Sequence, residues 1–388
     1  MIKFNDVPSR VGFSGVPIWC ALVCALALSA PSIGCGGGSK RSVKGSKRIA
    51  KPKLPPVKPA ALREFDAGIR AMRLGGPESS EIAKERFVKA VQLDGKLWEA
   101  WHNLGILHYR MGRDSAAAEA FGNALRINPA HVEAMTARAE AYRRAGKFGK
   151  ARKDYRRALD QRKNKGAGVR LASLLRQMKK YEDAIDALRD VLRNHGTSAK
   201  LYVELGLIYI AQGRDELAKL VLQKATKLNA KEASAYNALA LLALEKGDAQ
   251  EAFNQFDYAT SLDPNYLDAR FNKASVLLDA GDFSRAKDEL DAILLKNRND
   301  AAALLSLGVA LRGLKKYNEA ESTWEKVVKR ARSGRLRGDA LYNLFILQLD
   351  FKEKEKDAAK ALDRYLQNSP SNHPKRKQAL EKKKQLGS

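Results

Sequence analysis

Small residues return along this chain at an almost constant interval. Gly105, Ala139, Ala172, Gly206, Ala240, Ala274 and Gly308 are 33 or 34 residues apart, and Ala83, Ala117, Ala151, Ala184, Ala218, Ala252, Ala286 and Ala320 keep the same steps. A period in this range marks a stacked array, in which each repeat is one supersecondary unit that buries its apolar face against its neighbours. Two or three ordinary domains could also occupy 388 residues, and the period decides for the array.

The stretch Trp101 to Pro129, WHNLGILHYRMGRDSAAAEAFGNALRINP, shows why the interval recurs. Trp101, Leu104, Gly105 and His108 stand at i, i+3, i+4 and i+7, which makes one stripe of a first helix. Gly112 ends that helix, because glycine readily takes the left-handed conformation that terminates a last turn. Asp114 is expected to cap a second helix with the stripe Ala117, Phe121 and Ala124. Gly105 and Ala117 let the two helices approach, Phe121 fills the space beside them, and Pro129 stops the second helix. The ending glycine returns at Gly146, Gly213, Gly247 and Gly281, and the bulky residue returns as Tyr155, Leu188, Leu222, Phe256, Leu290 and Trp324. Pro264 repeats Pro129. The first copy, about Leu62 to Gly95, carries an extra turn at Gly75-Gly76-Pro77, and a degenerate last unit near Leu341 to Leu366 is expected to cap the stack.

This pattern resembles the tetratricopeptide (TPR) repeat over nearly all of Ala60 to Gln367, in eight clear copies and a ninth weaker one. The resemblance implies an all-α fold: a right-handed TPR superhelix, or α-solenoid, of eight to nine helical hairpins whose first helices line a concave face. Such folds present surface to other proteins and seldom carry chemistry. A binding role is therefore expected for an array over residues 60–368.

The N-terminus carries a different signal. Lys3 and Arg10 precede an apolar run from Val11 to Ala30, and small residues Ser29, Ala30, Ser32 and Gly34 close it. That order is an export signal. Cys20 and Cys24 lie within the run, Cys35 just after it, and none of the remaining residues is cysteine, as suits an oxidising compartment. Ser32-Ile33-Gly34-Cys35 resembles a bacterial lipoprotein signal, with Ser32 where leucine is more common. The resemblance implies that residues 1–34 are removed and that Cys35 becomes a lipidated N-terminus; two or three acyl chains anchor persistently where one does not. An uncleaved transmembrane anchor competes with this reading, since about 20 apolar residues span a bilayer. Lys40, Arg41 and Lys44 after the run outnumber the cations before it, which favours a cytoplasmic location for the rest of the chain. A phosphate loop at Gly36-Gly37-Gly38-Ser39-Lys40 lacks the leading glycine and the preceding strand.

The formal charge of +27 asks for an anionic partner. From Gly36 to Pro59 eight Lys/Arg and four prolines occur without an acid. Residues 35–59 therefore form a lipidated cysteine and an extended linker that could adhere to anionic headgroups or peptidoglycan. The segment 369–388 is a basic tail with six Lys/Arg against Glu381. The remaining +13 falls on the repeats and is expected to be spread along them. Nucleic acid is not the expected partner, because base recognition needs aromatic platforms or a groove-reading helix, and an exported chain would not meet it.

No catalytic constellation appears. The five histidines, His102, His108, His131, His195 and His373, contain no i, i+4 pair for a metal, and His108 reads as a packing residue. No nucleophile elbow or phosphate signature occurs. The expectation is a non-enzyme without cofactor or metal.

The fifth, ninth and twelfth positions of each first helix should face the groove. Early copies place Glu140, Arg143 and Arg176 there, with Arg110, Arg144 and Arg170 beside them. Later copies place Val203, Leu207, Ile210, Leu241, Leu244, Phe271 and Leu278. A partner segment with an acidic stretch followed by apolar anchors would fit such a surface, unless the apolar residues are buried between hairpins. Some TPR co-chaperones grip a carboxylate with asparagines at the sixth position, but Asn103 is followed by Ala137 and Arg170, so that clamp is not reproduced. Gly36 after the cysteine implies, by lipoprotein analogy, an outer-membrane protein with its repeats in the periplasm. The array and linker together resemble the TPR lipoproteins of the myxobacterial gliding-motility machinery. Pilotins of secretins and pili, and regulators of peptidoglycan enzymes, are alternatives of similar build.

Overall fold

The computed structural model describes residues 56–161, 165–331 and 334–385. Cys35, the apolar run and most of the basic linker lie outside them. Among the described residues the regular structure is entirely helical, and it divides into two compact units at Gly196 and Thr197.

The N-terminal unit holds four hairpins: α1 (Pro59–Leu74) with α2 (Gly76–Leu93), α3 (Trp98–Arg110) with α4 (Asp114–Ile127), α5 (Val132–Arg144) with α6 (Phe148–Asp160), and α7 (Lys165–Gln177) with α8 (Tyr181–His195). The C-terminal unit holds five more: α9 (Ala199–Ala211) with α10 (Asp215–Leu228), α11 (Ala233–Glu245) with α12 (Ala249–Leu262), α13 (Leu267–Asp279) with α14 (Phe283–Lys296), α15 (Ala301–Gly313) with α16 (Tyr317–Arg330), and α17 (Gly334–Ile346) with α18 (Glu355–Asn368). A π turn, Leu347–Phe351, extends α17, and α19 (Arg376–Gln385) completes the unit. Within each unit a hairpin packs on the next, and first helices touch first helices, as α3 touches α5 and α9 touches α11.

The physical reading of one repeat holds in three dimensions. A Cβ at Gly105 would lie 2.6 Å from the Phe121 ring, so α3 and α4 approach only because that position has no side chain. Gly112 has φ +69°, and the amide after it, Arg113 N, donates to His108 O at 2.8 Å, which satisfies a carbonyl at the helix end. Where glycine is missing, Lys179 (φ 57°) and Lys315 (φ 61°) take its place, a conformation that costs an L-residue about 1–2 kcal/mol. Asp114 differs from expectation. It is the first residue of α4 and Arg113 takes the cap position; Asp114 favours the helix dipole and pairs with Arg144 at 2.9 Å.

Two repeats place a cation where leucine usually fills the first-helix stripe. Arg138 on α5 grips Asp154 on α6 with two bonds of 2.7 Å. Lys273 on α13 contacts Glu289 on α14 and Asp257 on α12, each at 2.7 Å, and Glu289 is also bound by Arg270.

The end of the described chain is more structured than a solvated tail. Residues 376–385 form α19, with Ala379 fully buried. His373 is buried, with Nδ1 2.7 Å from the Tyr365 hydroxyl and Nε2 3.2 Å from Asp339. Lys383 pairs with Asp363 of α18 at 2.7 Å. The apolar residues Leu341, Phe345, Leu362 and Tyr365 form the core of this last hairpin.

Candidate partner-binding surface

In the N-terminal unit the first helices carry the basic residues expected of a groove, but these divide into engaged and available groups. Arg143 binds Glu140, with Nε 3.0 Å from Oε1, and the Tyr155 hydroxyl donates to Oε2 at 2.5 Å. Burial pushes the Glu140 carboxyl up, yet the Arg143 bonds outweigh it and hold the group below its ordinary range. Burial and the neighbouring Glu140 charge push the Tyr155 hydroxyl upward, so it stays a donor. Arg144 lies 4.0 Å from the Tyr109 ring centroid and pairs with Asp114, and Arg176 is buried beside Ser173. Arg110 and Arg170 are exposed, with no ion pair among the described residues. Position alone does not distinguish these two from their engaged neighbours.

The charge of the repeats is not spread along them. Between Ala141 and Lys180 stand fifteen Lys/Arg and two acids, Asp154 and Asp160, a net of +13, while residues 61–140 and 181–368 each sum to zero. The whole surplus therefore belongs to the end of α5, to α6, to α7 and to the turns beside them. Asp154 faces inward to Arg138, which leaves Arg152 and Lys153 exposed without an ion pair among the described residues.

The apolar set of the C-terminal unit also divides. Phe271 and Leu278 are completely buried within the cluster that includes Leu290 and Leu304, and Val203 and Leu241 are buried in smaller clusters. Those four are core, because the neighbouring first helices close over them. Leu207 and Ile210 on α9 are half-buried, and Leu244 on α11 is 37% exposed. They form a short apolar strip on first helices. A buried polar pair escapes sequence reasoning: Asn272 on α13 donates to Asn237 on α11 at 3.1 Å. Its only sequence signal is two amides inside apolar stripes.

Two of the five histidines, His102 and His131, meet near the start of the array. His131 accepts from Ala134 N through Nδ1 at 2.9 Å and caps α5, with its ring 5.0 Å from His102 and 4.4 Å from Trp98, centroid to centroid. Burial first, and then His131, lowers the His102 pKa to about 4. No group of three or more His, Cys, Asp or Glu among the described residues could hold a metal ion, and no described helix is long and apolar enough to cross a membrane.

Sequence models described as tetratricopeptide repeat match residues 102–166, 175–242, 243–308 and 301–333, together more than half of the chain. The chain belongs to the tetratricopeptide-repeat family, whose surfaces bind proteins. Human protein O-mannosyl-transferase TMTC3 is 27% identical over 184 residues, covering 46% of this chain and 20% of the relative. An uncharacterised protein of Haemophilus influenzae is 31% identical over 101 residues, covering 26% of this chain and 56% of its own. A solved structure of Pseudomonas aeruginosa pilF aligns with a TM-score of 0.46 at 20% identity, covering 56% of this chain and 97% of that one. The chain spans only about a fifth of the length of the first curated relatives it matches.

Proposed function

We propose that this protein is a non-catalytic scaffold, tethered to the outer membrane by acyl chains on Cys35, that presents its repeats in the periplasm to protein partners of an envelope machine. The single observation that carries this reading is the combination of a TPR array with an apolar run that ends in small residues and Cys35, with no cysteine beyond it. Gliding motility is the specific assembly proposed, on the likeness of array and basic linker to that class of lipoprotein. Arg110 and Arg170 would meet acidic residues of a partner in the N-terminal unit, and Leu207, Ile210 and Leu244 would meet apolar ones in the C-terminal unit. The linker 36–59 would add attraction to anionic headgroups or peptidoglycan that weakens with salt.

The test is intact mass and membrane fractionation of the protein from its native cells, beside a Cys35→Ala variant. A chain that begins at Cys35 with added acyl mass, and that leaves the membrane in the variant, is the expected result. A second reading rests on Lys40, Arg41 and Lys44, which favour an uncleaved anchor with the repeats in the cytoplasm. An unprocessed chain supports that reading and removes the first. Co-purification of motility subunits, a secretin or a wall enzyme then chooses among the machines.

A further inference from the structure

We propose that the outer face of α6, with the cleft between α6 and α8, is a second docking surface, shaped for a helical protein segment that bears carboxylates along one edge and cations along the other. Gly149, Arg152, Lys153 and Arg156 stand at i, i+3, i+4 and i+7 and form one stripe. The acid that could neutralise this stripe, Asp154, is turned inward by Arg138. Gly149 has no atom within 4 Å of where a Cβ would lie, so the stripe opens at its start. The cleft holds about 560 Å³ and its other wall is α8, with Asp183 and Asp186 exposed. Arg156 and Asp190 already span it at 3.2 Å.

Charge complementarity selects the occupant. A bilayer or a nucleic-acid backbone presents one sign of charge, so whichever wall it satisfied, the other would repel it within a Debye length of about 8 Å. A helix with opposite charges on its two edges satisfies both walls. Both walls are helices, so the ordering cost on binding falls on the exposed side chains and not on the backbone. The proposal rests on the array being a partner-binding scaffold and is independent of the lipid anchor.

The test uses the full chain and a labelled helical peptide about four turns long, with glutamates on one edge and lysines on the other. Binding is measured at low and at physiological salt. A peptide of the same composition with the two charges mixed on both edges serves as control, and vesicles of neutral lipid with and without anionic lipid serve as a second probe. The expected result is that the edged peptide binds, and that the mixed one binds about tenfold more weakly. Arg152→Glu with Lys153→Glu should lower affinity by at least that factor, and Arg152→Gln with Lys153→Gln should lower it less, both with unchanged helical circular dichroism. Equal binding of the two peptides, or peptide binding unchanged by either double variant, overturns the proposal. So does a double variant that abolishes vesicle binding while the wild type ignores the peptide. The scaffold reading is judged separately, by whether native partners still co-purify. A chain that keeps them yet fails the peptide test loses only the α6 site.

Discussion

The hairpins α5–α6 and α13–α14 place a cation at the same position between their helices, and their surroundings make opposite use of it. Arg138 has one carboxylate, Asp154, and takes both of its oxygens. Lys273 has two, Asp257 and Glu289, at equal distance, and Glu289 is shared with Arg270. In both hairpins the ion pair joins residues 16 apart, from the first-helix stripe to the second helix. The difference lies in redundancy. Asp154 has no other cation among the described residues, so α6 loses its central acid from the surface and keeps an unbalanced basic face. In α13–α14 the acids outnumber the internal cation's needs. Interior pairing thus decides which charges a hairpin shows to a partner, and net charge read along the chain does not.

Removing one partner tests that contrast most strongly. Arg138→Leu should cost about 3–5 kcal/mol by leaving Asp154 buried and unpaired, whereas Arg138→Leu with Asp154→Leu should be close to neutral. Lys273→Leu should cost clearly less, since Arg270 still holds Glu289 and Asp257 is exposed. Urea unfolding, followed by Trp98 and Trp101 in one unit and Trp324 in the other, reads both. Equal costs would end the distinction.

Acid should then separate the units. His102 is held neutral down to about 4 against 6.5 when unfolded, so its contribution is complete above about pH 6.5 and is lost as pH falls from 6.5 to 4. That amounts to at most about 3.4 kcal/mol. His131, lowered by burial, adds in the same direction. Thermal melts read through Trp98 should show the slope, and His102→Phe should flatten it; an unchanged slope in that variant would refute the assignment.

A smaller effect compares how the two units fill their helix crossings. Gly105→Ala drives a Cβ to 2.6 Å from the rigid Phe121 ring and should cost about 2–3 kcal/mol. Gly206→Ala meets one Leu222 methyl at 2.5 Å and the Leu222 Cγ at 2.6 Å; a change of the leucine rotamer relieves both, so a smaller cost of about 1–2 kcal/mol is expected. Phe121→Leu should rescue the first variant partly. The smallest change in stability belongs to Leu244→Glu, within about 0.5 kcal/mol because the side chain is already exposed. Native partners should nevertheless be lost from that folded variant. Retention of every partner would remove the apolar strip from the binding surface.

The hairpins are legible because a period of 34 fixes which residues must be small and which bulky, and Gly105 against Phe121 is that rule in atoms. Nine hairpins stand against eight clear copies and a weaker ninth in the sequence. The candidate surface is less legible. Helix position names the side a residue faces, but it does not say how closely the next hairpin approaches, and so Phe271 and Leu278 hold groove positions by register yet are core in space. The +13 is present in the sequence itself. Its concentration matters only once Asp154 is seen to be spent on Arg138, a pairing 16 residues long that helix neighbour rules at three and four residues do not reveal. The final helix is hidden for a similar reason. Its only fully buried side chain is Ala379, and the contact that fixes the segment joins His373 to Tyr365 and Asp339 across a turn.

Because within each unit a hairpin rests on the ones beside it in sequence, each unit has a mechanical character of its own. Under tension applied to its two ends, a hairpin at the edge of a unit can peel away while its neighbours keep their cores, so extension should proceed in steps of about one repeat. If both ends are held by larger assemblies, such a chain acts as a spring that lengthens under load and recoils by refolding.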